Sequence, residues 1–117
     1  MNTTAEFEAE ILRLEECVDR YDAIIATRGD NTGILALARE SVLDSIKAVK
    51  VLRAEKVVDL RMRVYVQEKH ILDIMSRDGE DNQNAEWRAQ CRRVNEAQDA
   101  MEWAQTSLRR IKNGLPS

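Results

Sequence analysis

Aromatic residues are scarce: two tryptophans, two tyrosines and one phenylalanine are all the chain holds. A core built around rings is therefore excluded, and any core must be aliphatic. Proline occurs once, at Pro116, and glycine four times, so long stretches carry no helix breaker. There is one histidine, His70. With it alone, His-based metal motifs and most pairs of nucleophile and base cannot be assembled. No Gly-rich phosphate loop or Gly-x-Ser-x-Gly elbow occurs either. The expectation is no enzyme, with no catalytic, cofactor-binding or metal-binding residue.

Only two cysteines are present, Cys17 and Cys91. They lie far apart and match no paired metal or redox spacing, which predicts reduced, half-buried thiols. No stretch approaches the roughly 18 uncharged apolar residues of a membrane span, and the first residues lack the basic and apolar regions of a secretory signal. A cytoplasmic protein with no membrane contact is expected. Eighteen basic and 21 acidic side chains give a net charge of −3, so no global field recruits nucleic acid.

What the chain does have is charge, 33% of its residues, interleaved with regularly spaced aliphatics. That balance is typical of long helices and coiled coils. Phe7, Ile11, Leu14, Val18, Tyr21 and Ile25 recur in steps of four and three, a heptad seam, and predict a first helix over about 4–27. Thr3 and Glu6 have capping-box spacing at its start. Two glycines and three capping-type side chains in residues 28–33 read as a short connection.

A second helix is predicted over about 33–76, where no Gly or Pro intervenes. Its stripe is Leu35, Ala38, Val42, Ile46, Val49, Val57, Leu60, Val64, Ile71 and Met75. Within it Leu60, Met62, Val64 and Val66 alternate as in a strand, but no turn signal offers a partner strand, so helix is preferred. After a polar loop, Asn82 or Asn84 caps a third helix over about 84–113, with Trp87, Cys91, Val94, Ala97, Met101, Ala104, Leu108 and Ile111 as its stripe. Gly114 and Pro116 then stop it.

The fold class expected is all-α: one domain over residues 1–117, three antiparallel amphipathic helices with a long central one, in an elongated coiled-coil-like bundle. Short connections make consecutive helices antiparallel, so residues whose numbers sum to about 60 lie level across the first turn and to about 160 across the second. That register sets Glu6, Glu8 and Glu10 beside Lys50, Arg53 and Lys56, and Arg92 near Glu68. A central helix about 66 Å long offers more seam than one chain covers, which predicts a homodimer or tetramer.

Binding is accordingly the function expected. The candidate oligomer or partner interface comprises Phe7, Ile11, Leu14, Val18, Trp87 and Trp103. Trp103 lies about 150° from its helix's apolar stripe and suggests contact with another chain. The resulting reading is a self-associating adaptor, assembly factor or inhibitor of a larger protein, of the kind found among phage or mobile-element accessory products. The alternative is single-stranded nucleic-acid binding by Lys47, Lys50, Arg53, Lys56, Arg61, Arg63 and Tyr65, joined by Arg109, Arg110 and Lys112. Against it, a helix charge run is more often a paired or solvated face.

Overall fold

The structure, a computed structural model, describes residues 3–79 and 84–115. These form three α-helices, α1 (Thr4–Arg28), α2 (Ile34–Arg77) and α3 (Ala85–Lys112), with no strand among the described residues. Asn82 and Pro116, suggested as a cap and a helix stop, lie outside them. The strand-like alternation from Leu60 to Val66 is helical. A strand there would leave its backbone polar groups without a ladder, whereas a helix satisfies them internally.

Each end has a local cause. Thr3 Oγ1 accepts from the Glu6 N–H at 3.2 Å and starts α1. Gly29 stops it with φ 77°, a backbone conformation that glycine adopts without a steric penalty, while its N–H donates to the Ile25 carbonyl at 2.9 Å. The Asp30 carboxylate then caps α2 from outside the helix, accepting from the Leu35 N–H at 3.2 Å and the Ala36 N–H at 2.9 Å. Asn84 Oδ1 accepts from the N–H groups of Glu86 and Trp87 to start α3. At the other end Leu115 N–H donates to Arg110 and Gly114 N–H to Ile111, the paired closure of a glycine-terminated helix.

The chain divides into two compact units, Met1–Arg53 and Ala54–Ser117, with α2 contributing to both. In the first, Phe7, Ile11 and Val18 of α1 bury against Ile46 and Val49 of α2, with Leu14, Val42 and Leu43 packed around them. The helices here are antiparallel in the register that the short turn requires, since Arg39 Nε donates to Asp22 Oδ1 at 2.6 Å. In the second unit Ala54, Val94, Ala97, Ala104 and Gln90 are buried. Trp87 Nε1 donates to Ser76 Oγ at 3.2 Å and Lys112 Nζ lies 3.7 Å from Glu55 Oε1, so α2 and α3 also run antiparallel.

Several ionic contacts form within a helix rather than across to the neighbouring one. Glu10 pairs with Arg13, Arg20 with Glu16 and Arg63 with Asp59, all within a helix. A partner three or four residues away is already on the same face, so no helix-to-helix reach is needed. Glu68 receives Gln90 rather than Arg92.

Candidate interaction surface

Unit two resolves the pattern of α2 into two stripes. Ala54, Val58, Tyr65, Leu72 and Met75 are buried or half-buried. They share a helix face with Glu68 and Ser76, the residues that Gln90 and Trp87 of α3 reach. Leu60, Val64, Ile71 and Ile74 lie about 100° around the same helix and remain 41–47% exposed. The single stripe expected from sequence is therefore corrected in this unit: Leu60, Val64 and Ile71 stay exposed rather than being buried against α3. A helix packs one partner per face, and α3 takes the neighbouring face.

Met62 and Val66 are exposed as well, on further sides of the helix. Between Val57 and Val66, apolar side chains thus point to several sides of α2, with Asp59, Arg61 and Arg63 between them. Scattered apolar residues on a surface are ordinary, but a row of them at helical spacing, here with Gln67 between Val64 and Ile71, is a candidate interaction surface. Ile74 was not singled out from the sequence because Met75 beside it fitted the expected stripe. The two interleaved stripes were the available signal.

Beside this row runs a groove of about 260 Å³, formed by Arg61, Val64 and Glu68 of α2 and Arg93, Glu96, Ala97 and Ala100 of α3. Its alanines keep the wall low, and its charged lining residues carry both signs. Gln90 supports it: Nε2 donates to the Glu68 carbonyl at 2.9 Å and to Glu68 Oε2 at 2.6 Å, while Oε1 accepts from Arg93 Nη1 at 3.3 Å. Gln90 is only 2% exposed, and these bonds offset the cost of burying its amide.

The other residues singled out from the sequence divide between core and surface. Phe7, Ile11 and Val18 are buried and Leu14 half-buried within unit one, so these side chains are occupied by the intramolecular core. Trp87 is half-buried with its indole N–H satisfied, whereas Trp103 is 70% exposed on the outer face of α3. Cys17 and Cys91 are free, half-buried thiols.

Among the basic candidates, Lys47, Lys50 and Arg61 are exposed and Arg53, Lys56 and Tyr65 half-buried. Arg63 is exposed but engaged by Asp59 at 3.0 Å. Lys56 and Arg63 lie about 140–160° around α2 from Arg61, so these three cations share no track. Arg109 and Arg110 are exposed, but Lys112 has an acidic neighbour in Glu55. No acid near it in the chain offers this partner: Glu55 is distant in sequence and adjacent in space. The Arg13 guanidinium is held above its ordinary pKa by its hydrogen bond and charge interaction with Glu10, which leaves an always-charged group charged.

Among the described residues no three His, Cys, Asp or Glu side chains gather as metal ligands would. No helix there is long and apolar enough to cross a membrane. No model of a known protein family matches the chain, and no curated protein or solved structure matches it.

Proposed function

We propose that the protein is a non-enzymatic, self-associating helical module that acts by binding other protein, as an adaptor, assembly factor or inhibitor. The observation that carries this reading is the exposed row Leu60, Val64, Ile71 and Ile74 on α2. Covering it removes apolar area from water at roughly 25 cal/mol per Å². Exposed Trp103 adds a second contact point of the residue type most enriched among binding hot spots. A cytoplasmic setting and an accessory role in a phage or mobile element fit this reading and rest on composition alone.

Sedimentation equilibrium or light scattering of the purified chain tests it. A dimer or tetramer that dissociates on dilution is expected; a monomer throughout the micromolar range overturns self-association. Single-stranded nucleic-acid binding has less support, because Arg63 and Lys112 already face carboxylates and Lys56 is half-buried. If it operates, oligonucleotide affinity falls steeply between 50 and 200 mM salt, by about 300-fold for about six phosphate contacts on a single strand.

A further inference from the structure

We infer that a second copy of this chain covers the row on α2, running antiparallel about a twofold axis between Tyr65 and Val66. The inference rests on the self-association proposed above and specifies its geometry. Val57, Leu60, Val64, Gln67, Ile71 and Ile74 follow one another in steps of three and four, the two core positions of successive heptads. Two such rows mesh antiparallel when residues whose numbers sum to about 131 lie level. Val57 then packs on Ile74 of the second copy, Leu60 on its Ile71 and Val64 on its Gln67.

Charge complementarity selects this arrangement. Arg61 and Glu68 occupy the same edge of the row, one heptad apart. In the antiparallel register each Arg61 meets the second copy's Glu68, twice per dimer. Glu68 uses Oε2 for Gln90, and Oε1 remains to accept from that guanidinium. Further out, Arg53 comes level with the second copy's Asp78, which follows the helical path of α2 by donating its N–H to the Ile74 carbonyl at 3.1 Å.

On the other edge Arg63 enters already paired with Asp59 and meets His70. Lys56 opposite Arg77 is the like-charged contact, at the solvated ends of the row. A parallel copy would instead bring Lys50 and Arg53 against their own equivalents at core positions, and Lys56 against Arg61. Parallel packing gains Arg63 with Glu68 but concentrates the basic block against itself. Gln67, the one polar core position of the row, lies near the axis within a turn of the second copy's Gln67, where the two amides can bond each other and offset the cost of a polar group in the seam.

The test uses the full chain with Cys17→Ser and Cys91→Ser, since both native thiols are free. Leu60→Cys alone and Ile71→Cys alone form no intermolecular disulfide, because like positions are about 16 Å apart along the axis, while a mixture of the two cross-links. Arg61→Glu and Glu68→Arg each weaken self-association about tenfold, and mixing the two proteins restores it, because every Arg61–Glu68 contact is again of opposite sign. Circular dichroism verifies that each variant remains helical. Association with Leu60→Cys cross-linking to itself overturns the antiparallel arrangement and leaves self-association standing. Absence of rescue on mixing overturns the charge pairing and with it the register. A monomeric parent chain overturns both this inference and the reading beneath it.

Discussion

Gln90 is the polar residue on which the second unit's packing turns. It is buried with almost no solvent contact, and its amide joins Arg93 of its own helix to Glu68 of the facing one. Gln90→Ala removes those bonds and opens a cavity, so a loss of about 1–3 kcal/mol is expected in urea unfolding. Phe7 tests the first unit in the apolar sense: Phe7→Ala strips the one phenylalanine from a buried cluster and should cost about 3–5 kcal/mol. Trp103 is the opposite case. At 70% exposure, Trp103→Ala should leave unfolding within about 0.5 kcal/mol of the parent, and a larger loss would mean that the indole is covered in solution.

The helices themselves are set by local chemistry. α2 starts on a carboxylate that is not adjacent to it in the chain, because the turn through Gly29 and Gly33 folds Asp30 back over the first N–H groups. Asp30→Ala and Asn84→Ala should each cost about 0.5–2 kcal/mol, read as a lower thermal midpoint with helix content retained below it. The start of α1 at Thr3 and the apolar stripes of α1 and α3 were legible in sequence, since caps and heptads are properties of neighbours. The stripe of α2 was legible as far as Val57 and again at Met75, but not at Leu60, Val64 and Ile71 between them. There two stripes overlap, and periodicity says that a helix has two apolar faces without saying which one its own chain covers. The candidate surface was missed for the same reason: Leu60, Val64 and Ile71 read as core, while Phe7, Ile11 and Val18, read as interface, are core.

At the scale of the whole molecule, the proposed self-association ties stability to protein concentration. If a second copy seats on α2, folding and binding share one equilibrium, and the thermal midpoint rises with protein concentration. Differential scanning calorimetry over a hundredfold concentration range should show that rise, and Leu60→Asp with Ile71→Asp should abolish it while leaving the intramolecular cores intact. Ion pairs contribute little on this scale. Arg39–Asp22 and Lys112–Glu55 are each about half exposed, and such pairs contribute about 0–1 kcal/mol.

Composition and spacing by themselves determined an all-α chain of three helices, their order and their ends, because backbone hydrogen bonding, glycine conformation and capping act over a few residues. Tertiary structure alone decided which face of α2 meets α3, that Gln90 replaces an arginine as the partner of Glu68, and that Glu55 lies beside Lys112. Those outcomes depend on which of several similar faces come together, and helices with more than one apolar stripe choose among them by packing between segments far apart in the chain.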